Sequence, residues 1–254
     1  MVIYSHSRLS CFENCPLQYK FKYIDKIKTG KESIEAFMGK LVHETLERLY
    51  SDREKGRINK LQEVLIFYNN EWQKKWNTSI FIVKNSKPGE YKEKGEKYLA
   101  DFYTRFFKSD ESKTVFTEKE VCIDLDNTGE YKMTGIIDRL SITNELFEVR
   151  DYKTGEHLLT QEKADLDRQL ALYSIAVQQN FPNAKDINLV WHYLAFGREI
   201  QSKRSERELA NLKEKTINLI KKIESTKEFK PKVSMLCKWC EYNDKCSSCQ
   251  KIKK

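Results

Sequence analysis

The sequence predicts an α/β (α+β) domain in which a mixed central sheet is flanked by helices. Apolar residues recur at helical spacing through the first hundred residues. The pattern then changes to runs rich in Val, Ile, Phe and Thr between Val115 and Lys153. Helix, strand and helix patterns alternate after that, which is the signature of helices packed against a sheet. With 254 residues the chain is long enough to bury a substantial core in one domain.

From the N-terminus, Phe37 to Tyr50 reads as a helix, with Met38, Leu41, Val42, Leu46, Leu49 and Tyr50 on one face and His43 on its flank. Leu61–Trp76 and Tyr91–Phe107 read as two more helices, separated by a loop around Lys87-Pro88-Gly89. Tyr98, Leu99, Phe102, Phe106 and Phe107 give the second an apolar face. Val115–Asp126, Tyr131–Ile142 and Glu145–Lys153 read as strands, broken by Asn127-Thr128-Gly129 and Thr143-Asn144. A helix is predicted over Lys163–Gln178 and a strand over Ile187–Phe196. Ser205 and Glu208 form a capping-box pattern that opens a long helix carrying Leu209, Leu212, Leu219, Ile220 and Ile223. From Pro231 onward the chain is short, loop-like and rich in cysteine.

Composition narrows the class. Charged residues make up 33% and hydrophobic ones 39%, as in a globular chain. There is no spanning run of about 18 apolar residues and no apolar signal core near Met1, so no membrane contact and a cytoplasmic location are expected. The net charge of +8 is distributed along the chain and suits a polyanionic partner, though many soluble proteins are as basic. Seven cysteines without an export signal point to metal rather than to disulfides.

The central strands carry an acidic pattern. With Thr143-Asn144 as a two-residue turn, Asp138 faces Val149, and Asp138, Val149, Asp151 and Lys153 share one face with Ile136, Leu140 and Phe147. Asp151 is then a diagonal neighbour of Asp138. Two carboxylates beside an apolar surface are costly unless paired. One reading is surface ion pairing, Asp151 with Lys153 and Asp138 with Arg139 or Arg150. The other is a Mg²⁺ or Mn²⁺ site with a lysine beside it to orient the attacking water or to stabilise charge on a phosphate.

Gly135-Ile136-Ile137-Asp138-Arg139 followed by Asp151-Tyr152-Lys153-Thr154-Gly155 resembles the PD-(D/E)XK motif of the RecB-type nuclease branch. Gly39-Lys40-Leu41-Val42-His43 resembles that branch's helical G-x-x-x-H element, and Gln169 with Tyr173 resembles its Q-x-x-x-Y helix. The literal proline is missing, since Ile137 precedes Asp138. The resemblance implies a restriction-endonuclease-like fold. It implies metal held by His43, Asp138, Asp151 and the Tyr152 carbonyl, with Asp138, Asp151 and Lys153 catalytic and Gln169 and Tyr173 facing the substrate. Glu120 on the preceding strand is a further acidic candidate, in competition with Glu118, Asp124 and Asp126.

The cysteines allow two metal sites. Cys237, Cys240, Cys246 and Cys249 form a local C-x₂-C-x₅-C-x₂-C set, sufficient by itself for a structural zinc. Ser7 to Tyr19, with Cys15-Pro16 at its centre, resembles the N-terminal motif of iron–sulfur nucleases in the same branch, among them AddB-type helicase-nucleases and the CRISPR-adaptation nuclease. That resemblance implies a structural [4Fe–4S] cluster on Cys15, Cys237, Cys240 and Cys246. The chain would then be tied end to end. Cys11 and Cys122 read as spare or buried thiols.

Together these readings predict one nuclease domain over residues 1–254. Within it lie a helical insertion over 44–113, a catalytic sheet and helix core over 114–200, and a cluster-binding segment over 231–249 that pairs with Cys15. The expected activity is Mg²⁺- or Mn²⁺-dependent hydrolysis of DNA, as an exonuclease on single-stranded ends or flaps, in recombination and repair or in CRISPR adaptation. Tyr19, Tyr23 and Trp239 are candidates for stacking on bases. The chain has no G-x-x-x-x-G-K-[ST] loop, so a helicase or a CRISPR-adaptation protein is an expected partner. The competing expectations are a non-catalytic DNA-binding protein with a nuclease-like fold, and a structural zinc module on an unrelated helical domain.

Overall fold

The computed structural model describes residues 2–126 and 128–250, with Cys249 and Gln250 described by backbone alone. Strand β1 (Tyr4–Ser5) leads into α1 (His6–Asn14), where the Ser5 hydroxyl accepts a hydrogen bond from the Arg8 amide and caps the helix. Cys15 is extended and ends α1; Pro16, with no amide hydrogen to lose, opens α2 (Pro16–Tyr19), and a π-helical turn follows over Lys20–Ile24. A short strand β2 (Glu32–Ser33) precedes α3 (Ile34–Glu54). Next come α4 (Leu61–Lys75), β3 (Ile80–Phe81) and α5 (Pro88–Arg105). The strand-rich centre is β4 (Lys113–Asp124), β5 (Lys132–Thr143) and β6 (Leu146–Lys153). The chain continues through α6 (Gln161–Asp165), α7 (Arg168–Asn180), β7 (Ile187–Tyr193), β8 (Arg198–Ser202), α8 (Glu206–Ser225) and α9 (Ser247–Gln250). This is the mixed α/β architecture that the patterning predicts. No helix among the described residues is long and apolar enough to cross a membrane.

The main sheet runs β1-β5-β6-β7-β8, with β4 along the other edge of β5. Strand β5 changes neighbour along its length. β1 pairs parallel with Met133 and Thr134, and β6 pairs antiparallel from Arg139 onward, so Gly135–Asp138 lie at a split between the two. β6 and β7 are parallel, and α6 and α7 make the crossover between them. Every residue of β7 is buried, as expected of a strand covered on both faces.

The sheet separates two cores. On one side, Leu140, Phe147 and Val149 pack with Leu9 of α1, Leu170 and Leu172 of α7 and Ile220 of α8. On the other, Phe37, Leu46, Tyr68, Leu99 and Phe102 from α3, α4 and α5 pack with Tyr152. Burying side chains of this size stabilises the fold by about 1.5–3 kcal/mol each.

Four local features differ from the expectation, each for a physical reason. The β5–β6 turn is Asn144-Glu145, closed by the pair Thr143 and Leu146, and both turn residues have positive φ (46° and 69°), as a type I′ hairpin requires. The predicted 163–178 helix is two helices, because Asp167 leaves helical geometry and its carboxylate caps α7 at the Gln169 amide. The predicted strand at Ile187 ends at Tyr193; a 3₁₀ turn and Gly197, at φ 55°, reverse the chain into β8. The helix predicted from Phe37 starts three residues earlier, because Ser33 caps it.

Candidate active site

The displaced turn moves the β5–β6 pairing by two residues and so keeps every face. Arg139 pairs with Arg150, and one step further along both strands Asp138 and Asp151 come opposite each other. The Tyr152 amide donates to Asp138 Oδ2 at 2.8 Å, where the strands split.

Lys153 and α7 complete this side. Lys153 Nζ lies 2.7 Å from Asp151 Oδ2 and donates to Gln169 Oε1 at 2.8 Å, while Gln169 Nε2 donates to Asp151 Oδ1 at 2.9 Å. Tyr173, one turn on, is 3.5 Å from Gln169 Nε2. The glycine before Asp138 makes this possible: a Cβ on Gly135 would sit 2.2 Å from Cε1 of Tyr173. Burial disfavours the Lys153 cation, but Asp151 outweighs burial and leaves its pKa above the ordinary lysine value.

Helix α3 closes the other side. A Cβ on Gly39 would meet the Thr154 hydroxyl at 3.0 Å, so a glycine here lets the helix approach the strand end. One turn on, His43 Nε2 lies 2.7 Å from the Tyr152 carbonyl oxygen, and Nδ1 is 3.4 Å from both Glu118 Oε1 and Asp138 Oδ2. Glu118 has φ 40° in the middle of β4, a strained backbone for a non-glycine residue, opposite Asp138. Donor atoms of His43, Glu118 and Asp138 all lie within 4.8 Å of one another. Of the acidic residues weighed in the sequence, Glu118 rather than Glu120 joins this group. The β4–β5 register pairs Asp124 with Lys132 and Glu120 with Ile136, and so leaves Glu118 opposite Asp138. Reading that register in the sequence would have found it.

Electrostatics mark this as a place for a cation. Burial, then Asp151, pushes the Asp138 carboxyl well above the usual carboxylate range. Burial works against the His43 imidazolium, yet Asp138 and Glu118 outweigh it and bring the ring up to about 9. A dication would favour both carboxylates and displace the imidazole proton. The donor set, one imidazole with carboxylate and carbonyl oxygens around an accessible edge, fits Mg²⁺ or Mn²⁺.

The cysteines form a second centre. Cys15, Cys237, Cys240 and Cys246 line one cavity of about 230 Å³. The Lys232 amide donates to Cys15 Sγ and the Ser234 amide to Cys237 Sγ, both at 3.4 Å. Tyr242 donates to the Ile27 carbonyl at 3.0 Å and Thr29 to Glu241 at 2.8 Å, so the C-terminal segment lies against the N-terminal one. Cys11 packs against the first core, Cys122 is exposed on β4, and the side chain of Cys249 lies outside the described residues. Of the base-stacking candidates, Tyr19 is buried against Phe229 (centroids 6.1 Å apart, 7° between planes) and Tyr23 packs on Tyr19 beneath Arg8. Trp239 remains half-buried beside the cysteine cavity.

A crystal structure of a "putative exonuclease" from Eubacterium rectale shares the fold, with TM-score 0.50 and 11% identity over 96% of this chain and 86% of that one. The structure of SSO0001 aligns over 74% of this chain and 97% of that one, with 17% identity and TM-score 0.29. No curated protein matches the chain. The family model of the PD-(D/E)XK nuclease superfamily matches residues 3–247, a span that holds Asp138, the Asp151-Tyr152-Lys153 strand and His43, and the chain belongs to that superfamily.

Proposed function

We propose that the chain is a Mg²⁺- or Mn²⁺-dependent deoxyribonuclease, acting as an exonuclease on single-stranded ends or flaps. The observation that carries this is the convergence of His43, Glu118 and Asp138 beside the Asp151–Lys153–Gln169 triangle. A bound dication would polarise the phosphate and lower the pKa of a coordinated water. His43, Asp138, Asp151 and the Tyr152 carbonyl would hold it, joined by Glu118. Lys153 is kept protonated by Asp151, so its role is to donate to the attacking water or to a phosphate oxygen rather than to act as a base. Gln169 anchors both Lys153 and Asp151, and Tyr173 braces Gln169.

A [4Fe–4S] cluster on Cys15, Cys237, Cys240 and Cys246 belongs to the same proposal. Its support is that the four thiols line one cavity. The cluster would be structural, since hydrolysis transfers no electrons. The setting proposed is recombination and repair or CRISPR adaptation, with a helicase or a CRISPR-adaptation protein as partner.

The test is cleavage of end-labelled single-stranded DNA with Mg²⁺ or Mn²⁺ by the wild type and by Lys153→Ala, with iron, sulfide and zinc measured on the same anaerobic sample. Metal-dependent cutting by a brown protein, lost in the variant, is expected. A colourless zinc protein that binds DNA and never cuts it would overturn both parts.

A further inference from the structure

Three hollows follow one another across the surface from the candidate metal site to the cysteine cavity. The first, of about 340 Å³, is lined by His43, Glu118 and Lys40. The second, of about 440 Å³, shares Lys40 with it and adds Lys22, Lys31, Phe81 and Trp239. The cysteine cavity shares Trp239 and Gln18 with the second. Lys22 and Lys31, which line the second hollow, belong to a segment from Lys20 to Lys31 that holds five lysines and one acid, Asp25.

The lysines of the path are held only loosely. Lys22 is paired with Glu241 at 3.7 Å, Lys31 with Asp244 at 3.1 Å and Lys40 with Glu32 at 2.5 Å, and the three lysine side chains are 47%, 45% and 73% exposed. Exposed pairs of this kind contribute little and exchange readily for a phosphate. Glu44 and Glu47 follow Lys40 along the same face of α3 in the first hollow and would repel a phosphate backbone, so the strand would leave that hollow at its Lys40 end. Half-buried rings at Phe81 and Trp239 sit among the lysines. Alternating cations and ring faces suit unpaired bases on a phosphate chain; a duplex has already stacked its bases on each other.

We infer that this trough is the track of a single DNA strand, which runs from the candidate metal site past Lys40 to Lys22 and Lys31 and stacks a base on Trp239. The inference rests on the nuclease reading and adds the path and the specificity element to it. It also gives the cysteine-rich segment a second task, because the segment that ties the two chain ends also presents Trp239 to the strand.

The experiment is fluorescence anisotropy of a labelled 20-nucleotide single strand and of the matching duplex, without divalent metal, across a salt series. Folding of each variant is checked by circular dichroism. Trp239→Ala is expected to weaken single-strand binding about tenfold, with duplex binding changed much less. Trp239→Phe should keep most of the affinity but lose the tryptophan quenching that the wild type shows on adding single strand. Lys22→Ala with Lys31→Ala should reduce the slope of log K against log salt by about 0.7 per lysine. Folded variants that bind the single strand like the wild type, or equal losses on single strand and duplex, would overturn the trough while leaving a cutting wild type intact. Stronger binding of an RNA of the same length would overturn the DNA assignment. A wild type that neither binds nor cuts DNA would remove the nuclease reading itself.

Discussion

The two candidate metal-holding regions are built in opposite ways. His43, Glu118 and Asp138 stand on α3, β4 and β5, elements already fixed by two buried cores. The four thiols stand on an extended residue and on a tail that buries Tyr242 but leaves Val233, Met235 and Leu236 53%, 72% and 59% exposed. The fold makes the first site, and strain and unfavourable charge are stored there. The second has few packing contacts of its own, so a bound group would make that part of the fold.

This contrast is open to attack from both sides. Asp138→Asn is expected to lower cleavage at least about 100-fold, comparable to losing one transition-state donor. Its melting temperature should hold or rise, because burial and Asp151 both disfavour the charge that is removed. Cys237→Ser should do the reverse, lowering the melting temperature by several degrees and opening residues 231–250 to limited proteolysis. If Asp138→Asn unfolded the protein while Cys237→Ser left its stability alone, the comparison would be the wrong way round.

A third test probes the scaffold under the acidic site. Arg139, beside Asp138 but on the opposite face, is fully buried; it bonds to Asp110 at 2.6 Å and stacks 3.6 Å over Tyr50. Asp110→Asn leaves that cation unpaired and is expected to cost about 3 kcal/mol in urea unfolding at neutral pH. Burial raises the Asp110 carboxyl, but Arg139 and the Ser112 bonds outweigh it and hold the pKa well below its ordinary 3.8. A depressed carboxylate contributes stability above its unfolded value and loses it as pH falls toward the folded one. The gap between wild type and variant should therefore be constant from neutral pH to about 4 and shrink below that. A gap independent of pH down to full acid unfolding would remove the ion pair as its cause. The smallest expected effect is that of Gly135→Ala, which forces the Tyr173 ring aside, costs about 1–3 kcal/mol and slows cleavage by less than Asp138→Asn does. Unchanged cleavage kinetics would mean that Tyr173 does not brace Gln169.

Much of the site was legible along single elements. The spacing of Asp151 and Lys153 places both on one strand face, and Gln169 and Tyr173, at i and i+4, share a helix face because of the 3.6-residue turn. The moved β5–β6 turn left that face assignment intact, because pairing shifted by an even number of residues. Glu118 was harder to read, since choosing it over Glu120 needs the register of a different hairpin and a backbone angle of 40° that no local rule favours. The reasons for Gly39 and Gly135 were not legible either. Each glycine answers to a side chain more than thirty residues away, Thr154 and Tyr173.

Local periodicity and capping chemistry in the sequence by themselves determined the class of fold, the strand faces and the residue types available for metal, because these depend on neighbours a few positions apart. The pairing of Cys15 with the distant tail was already expected from the sequence; tertiary structure alone decided the split in β5 that receives Asp138, the backbone angle that aims Glu118, and the run of hollows between the two centres. These depend on which surfaces pack together once both cores close, and that is set by the whole chain at once.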